Sequence, residues 1–176
     1  VSSLTDHQAK LFARELLRRH PSGDTARIGT ALLDAQVDLN PHQVDAALFA
    51  FQSPLSKGVI LADEVGLGKT IEAGLVLTQR WAEGRRRVLV VVLASLRKQW
   101  VQELAEKFFL PAVILETKSF NAAVREGVRN PFAAGGDDRA VVVCSYQFAA
   151  RKADDVAAVR WDLAILDEAH RLRNLY

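Results

Sequence analysis

The chain has 176 residues, 49% of them apolar and 25% charged, enough for one globular domain with a buried core. Acids and bases nearly cancel to a formal +2, which neither requires nor excludes a nucleic-acid surface. The sole cysteine, Cys144, excludes an internal disulfide framework, no apolar run approaches the roughly 20 residues of a membrane span, and the opening Val1-Ser2-Ser3-Leu4 carries no secretory signal, so a soluble cytoplasmic protein without a membrane partner is expected.

Residues 1–36 read as helical. Thr5-Asp6-His7-Gln8 fits a capping box, with Leu4 as its staple. Ala9, Phe12, Ala13, Leu16 and Leu17 follow at the spacing of one helix face. Pro21-Ser22-Gly23-Asp24 breaks this helix, and Ile28, Ala31, Leu32 and Ala35 outline a shorter second one. The region carries no recognisable chemistry and is expected to be an accessory that packs on the main domain.

From Asn40 the texture changes. Asn40 suits an N-cap and Pro41 the first helical position, with Val44, Ala47, Leu48 and Phe51 as the buried face. A polar turn through Ser53, Pro54, Ser56 and Lys57 follows. Short apolar runs then alternate with helical stretches: Val59-Ile60-Leu61, Val88 to Leu93, Ala112 to Leu115, Ala140 to Cys144 and Leu163 to Leu166. Continuous apolar runs imply strands buried on both faces, hence an α/β fold with a parallel sheet covered by helices. Gly135-Gly136-Asp137-Asp138 marks a turn before the fourth run.

Directly after Leu61 stands Asp63-Glu64-Val65-Gly66-Leu67-Gly68-Lys69-Thr70, a phosphate-loop ending with Asp63 in place of the opening glycine. Gly66 and Gly68 permit the backbone angles that aim successive N–H groups at phosphate oxygens, and the helix starting near Lys69 adds its positive end. Lys69 suits the β and γ phosphates, and the Thr70 hydroxyl suits Mg²⁺. A glycine-rich turn that merely carries Lys-Thr is the bland alternative, and the apolar helical stretch after it argues against that.

Leu163 to Leu166 delivers Asp167-Glu168-Ala169-His170 at a strand end, where such sheets place their ligand chemistry. Asp167 is expected to hold Mg²⁺ through water, since that ion keeps its hydration, and Glu168 to orient and deprotonate the attacking water. His170 would link the nucleotide to the rest of the molecule. Alone, Asp-Glu after a strand is often just the polar start of a helix; the phosphate loop upstream in the same sheet reverses that reading.

Leu39-Asn40-Pro41-His42-Gln43, Leu61 to Thr70, and Asp167 to Asn174 together resemble the Swi/Snf-like ATPases of helicase superfamily 2. The resemblance runs from about Val37 to Tyr176. It is closest to the bacterial branch of the RNA-polymerase recycling translocase and defence-associated DEAH-box helicases. It implies a P-loop, RecA-like first lobe at residues 37–176, ATP and Mg²⁺ as cofactors, and duplex DNA as track. A bacterial, nucleoid-associated setting is implied too, with transcription, nucleoprotein or restriction and defence partners. Gln43 resembles the glutamine that reads adenine; its competing reading is the closing member of a helix cap. Ser95 and Lys98, after the second apolar run, and Ser145 and Tyr146, after a later one, lie where the family grips nucleic-acid phosphates. Leu93 replaces the family's usual proline there. Trp100 reads as packed core rather than a base-stacking platform, and Arg85-Arg86-Arg87 as a solvated turn at the opposite sheet edge.

The family hydrolyses ATP between two such lobes, the second supplying arginines worth roughly 10³–10⁵ in rate. The sequence holds no methionine and no second lobe, so a truncated lobe that binds nucleotide with negligible turnover is expected. A strand-separating DNA or RNA helicase of the same superfamily is the first alternative. A small-molecule P-loop kinase and a non-catalytic nucleotide-binding module are the remote ones.

Overall fold

The computed structural model describes residues 40–52, 58–61, 68–135 and 140–174. The readings made for residues 1–36, the turn at 53–57, Asp63 to Leu67 and Gly136 to Asp138 lie outside the described residues.

Helix α1 (Pro41–Gln52) begins as the sequence indicates. The N–H groups of Gln43 and Val44 reach the Asn40 carbonyl at 3.0 and 3.4 Å, and the Asn40 N–H donates to Gln43 Oε1 at 3.2 Å. That return bond is the half of a capping box that an N3 glutamine supplies.

Helix α2 (Lys69–Ala82) follows Gly68, whose φ of 88° lies in the left-handed region that glycine enters without strain. Strand β1 (Val88–Val92), helix α3 (Arg97–Phe108), β2 (Ala112–Ile114), α4 (Thr117–Arg125) and α5 (Pro131–Gly135) come next. Then come β3 (Val141–Ser145), α6 (Tyr146–Arg151), α7 (Ala153–Ala157), β4 (Leu163–Leu166) and a 3₁₀ helix over Ala169–Asn174. Gly74 lets α2 lie tightly on α3, since a Cβ there would come within 2.2 Å of the Phe108 ring.

Among the described residues the sheet has four strands, all parallel, in the order β2-β3-β1-β4. Val90 pairs with Val143 on one side and Ile165 on the other. The two inner strands are buried along their whole length, as expected of their apolar runs, whereas the edge strands β2 and β4 are only partly buried, with Val113 43% and Leu166 45% exposed. Val88, Val90 and Val92 face a core with Ala47, Ile71, Leu75, Trp100 and Leu104, which come from α1, α2 and α3. Leu89 and Val91 face the opposite core, where Phe120, Phe132 and Phe148 stack with ring centroids 5.9–6.0 Å apart. Helices on both faces of a parallel sheet confirm the expected fold class.

Two strand expectations need correction. Val59-Ile60-Leu61 joins no ladder among the described residues, and Ile60 is 87% exposed. An apolar triplet states only that burial would be favourable; a strand exists through cross-strand hydrogen bonds, and no described neighbour offers them. The third of the matching runs also forms its strand one residue late, ending at Ser145 instead of Cys144, because the ladder with β1 extends to the Val92–Ser145 pair. The basic run ahead of β1 is a surface turn: the Arg86 guanidinium lies 4.7 Å from the Trp81 ring centre, and the Arg87 N–H donates to Asp162 Oδ2 at 3.1 Å.

Candidate nucleotide and metal site

In a parallel sheet every strand ends at the same edge. The loop holding Ser95 leaves β1 there, Ser145 and Tyr146 leave β3 there, and Asp167 and Glu168 leave β4 there. Helix α2 runs back to the start of β1 through a short link at 83–87, so its Lys69 end is also directed to that edge. Topology thus gathers the described members of both motifs on one side of the molecule.

At the phosphate-loop end, Lys69 and Thr70 occupy the first turn of α2, both half-buried. The N–H groups of Ile71 and Glu72 reach back to the Gly68 carbonyl at 2.7 and 3.2 Å and close the turn. A helix start presents its leading N–H groups along its axis with the positive end of the dipole, which suits a phosphate. Gln43 is 5% exposed and its amide lies against Gly68, where an added Cβ would meet Nε2 at 2.4 Å. A left-handed glycine packed directly on a buried amide fixes the backbone at the start of α2. Asp63, Glu64, Val65, Gly66 and Leu67, which would complete the phosphate loop, lie outside the described residues.

Asp167 is held from three directions. Its N–H donates to the Val91 carbonyl at 2.9 Å, which extends the β1–β4 ladder by one residue. Its carbonyl accepts from the Tyr146 hydroxyl at 2.7 Å. Its Oδ2 accepts from the Trp100 indole Nε1 at 2.9 Å. The carboxylate at the strand end is therefore fixed in orientation, as a metal-holding group must be. A carboxylate oxygen donor of this kind suits a hard cation such as Mg²⁺, so the residues present fit the group the fold implies.

Glu168 follows with a φ of 54°, which a residue bearing a Cβ adopts only under strain. Its Oε2 pairs with His170 Nδ1 at 3.1 Å, and both side chains are exposed. The turn thus separates the two carboxylates into different surroundings: one braced against the core, one open to solvent beside an imidazole.

The residues expected to meet nucleic acid divide. Ser95 and Lys98 are exposed around the start of α3. That start is secured by Arg97, which donates to the Ala94 carbonyl at 3.0 Å and pairs with Glu116 at 2.8 Å. Ser145 is 6% exposed and its hydroxyl accepts from the Phe148 N–H at 3.2 Å as the cap of α6. Tyr146 spends its hydroxyl on Asp167; burial, followed by the charges of Asp167 and Glu168, pushes its pKa up to about 12. Sequence reasoning placed Trp100 in the core, where it lies at 3% exposure, but missed its bond to Asp167. The available signal was general: a buried indole N–H needs an acceptor, and a carboxylate at the sheet edge is a strong one.

The sequence profile described as "SNF2-related domain" matches residues 9–175. The match begins well ahead of Val37 and so takes in most of the leading stretch that the motifs left outside the resemblance. The protein named RNA polymerase-associated protein RapA from Yersinia pseudotuberculosis (serotype O:1b, strain IP 31758) is 35% identical over 171 residues, covering 95% of this chain and 17% of its own length. RapA of Yersinia pestis (strain Pestoides F) is 34% identical with the same coverage. The chain thus spans about a sixth of the length of these relatives. The Sulfolobus solfataricus SWI2/SNF2 ATPase core, solved in complex with dsDNA, superposes with a TM-score of 0.65 at 24% identity over 80% of this chain and 28% of that one, which supports the fold. With a profile that matches residues 9–175 and a relative 35% identical over 95% of its length, this chain belongs to the SNF2-related domain family.

Proposed function

We propose that this chain is the ATP-binding lobe of a DNA-dependent ATPase that moves along duplex DNA. The observation that carries the reading is Asp167, fixed at the end of β4 on the sheet edge to which the Lys69 end of α2 is directed.

In this reading Gly66 and Gly68 bring backbone N–H groups to the phosphates, and Lys69 neutralises their β and γ oxygens. The Thr70 hydroxyl and the Asp167 carboxylate would hold Mg²⁺, which when bound supplies charge neutralisation and a template for the triphosphate. Glu168, freed from His170, accepts a proton from the attacking water and orients it. Gln43 reads the adenine edge by exchanging its bond to the Asn40 N–H for one to the base, an exchange available because both bonds involve the same amide. Asp63, Glu64, Val65 and Leu67 are the remaining members of the proposed phosphate-binding segment.

Ser95 and Lys98, exposed at the same edge, are proposed contacts to the phosphate backbone, and Ser145 and Tyr146 support that surface from within. Duplex DNA is the proposed track because the structurally similar Sulfolobus core was captured on it. The RapA relatives are named for association with RNA polymerase, and a transcription-linked role in the bacterial cytoplasm is the proposed setting.

The test is ATP hydrolysis by the intact protein with closed duplex DNA, single-stranded DNA, RNA, or none. Strong stimulation by closed duplex, without release of a labelled strand and lost in Lys69→Ala, is the expected result. Strand release would favour a helicase instead, and a rate indifferent to nucleic acid and to Lys69→Ala would defeat the reading.

A further inference from the structure

Trp100 lies in α3, outside both the phosphate loop and the acidic motif, and no role in the chemistry follows from its sequence position. Its ring is buried in the core formed with Ile71, Leu75 and Leu104. Its indole N–H nevertheless emerges from that core onto Asp167 Oδ2 at 2.9 Å. A buried indole N–H needs an acceptor, and here it takes the side chain of a residue whose backbone is already secured by Val91 and Tyr146. The indole bond adds something the backbone bonds cannot: it fixes the side-chain torsion of Asp167 and selects which carboxylate oxygen stays with the protein.

We propose that Trp100 is a positioning residue for the metal-holding carboxylate, retaining Oδ2 so that Oδ1 is presented to Mg²⁺ or its bound water. The inference rests on the reading of Asp167 given above. The indole suits the task. It is a donor only, so it cannot compete with the carboxylate for the cation, and its rigid ring has Ile71 of α2 in the same core. Phosphate-loop helix and carboxylate are thereby referred to one packed unit. Groups that orient a metal ligand in this way typically carry 10–100-fold in metal affinity or activity.

The test is calorimetric titration of ADP into the intact protein, once in Mg²⁺ and once in EDTA, for wild type, Trp100→Phe and Asp167→Asn. Phenylalanine keeps an apolar ring in the core and removes the donor. Trp100→Phe should leave ADP affinity in EDTA unchanged and reduce the Mg²⁺-dependent gain about tenfold. Replacement of Trp100 by its benzothiophene isostere, which loses only the N–H, should give the same split and serves where the phenylalanine variant does not fold. An equal loss with and without Mg²⁺, or no loss, while Asp167→Asn abolishes the Mg²⁺ gain, would overturn the inference and leave the metal site standing. A Mg²⁺ gain that survives Asp167→Asn would overturn the metal-site reading itself.

Discussion

Gln43 and Gly68 share one tight junction: the amide of α1 fills the space that a side chain at residue 68 would need, with only 2.4 Å between Nε2 and an added Cβ. The contact joins the start of α1 to the residue that opens α2, so Gln43 and the Lys69 end of α2 are set by the same packing.

Gly68→Ala should therefore be penalised twice. Forcing a Cβ into a φ of 88° costs about 1–2 kcal/mol, and overlap with Gln43 costs about 1–3 kcal/mol more. Urea titration of Gly68→Ala in the wild-type and Gln43→Ala backgrounds separates the two contributions. The penalty should shrink to the backbone part when Gln43 is truncated; an undiminished penalty would show that the amide does not occupy that space.

Glu168 sits at φ 54°, so its stability and its chemistry pull in opposite directions. Glu168→Gly relieves the left-handed strain and Glu168→Ala does not, while both lose the carboxylate and the pairing with His170. After allowing for the greater freedom of glycine in the unfolded chain, Glu168→Gly should be about 0.5–1 kcal/mol more stable than Glu168→Ala. Both should have lost ATP turnover. Denaturant titration beside a phosphate-release assay checks the pair.

Tyr146 supplies a pH signature. Its phenol titrates at about 12, against about 10 for an ordinary tyrosine, so the native state holds this proton more tightly than the unfolded chain does. The stabilising contribution is complete below about pH 10 and is lost as pH rises through about 12. In a difference titration at 295 nm, wild type minus Tyr146→Phe should show phenolate absorbance rising near pH 12. A rise near pH 10 would mean that burial and the neighbouring Asp167 and Glu168 charges do not act on the phenol as the structure places them.

Cys144 lies fully buried in β3, and burial pushes its thiol up to about 12, with Arg97 opposing weakly. At pH 8 only about one thiol in ten thousand would be ionised. A disulfide-exchange reagent should label Cys144 at the rate of unfolding, and labelling as fast as a free thiol would contradict that burial.

The sheet and its covering helices were legible because the inner strands Val88–Val92 and Val141–Ser145 are uninterrupted apolar runs, a pattern with one economical interpretation. The start of α1 was legible for local reasons, since Asn40, Pro41 and Gln43 act within a single turn. Val59-Ile60-Leu61 misled because strand pairing is a property of the neighbour and not of the run. The Trp100–Asp167 and Tyr146–Asp167 bonds span 67 and 21 residues of sequence, and no local pattern announces a partner at such separation. Sequence could name Asp167; only the fold shows what aims it.

The most direct measurement is a crystal structure of the intact protein with Mg²⁺ and a non-hydrolysable adenine nucleotide. The expected result has the phosphates over the N–H groups around Gly68, Lys69 on the terminal phosphate, and the metal hydrated between Thr70 and Asp167. A nucleotide bound at any other place, or a metal with Asp167 beyond reach of its water, would contradict the assignment.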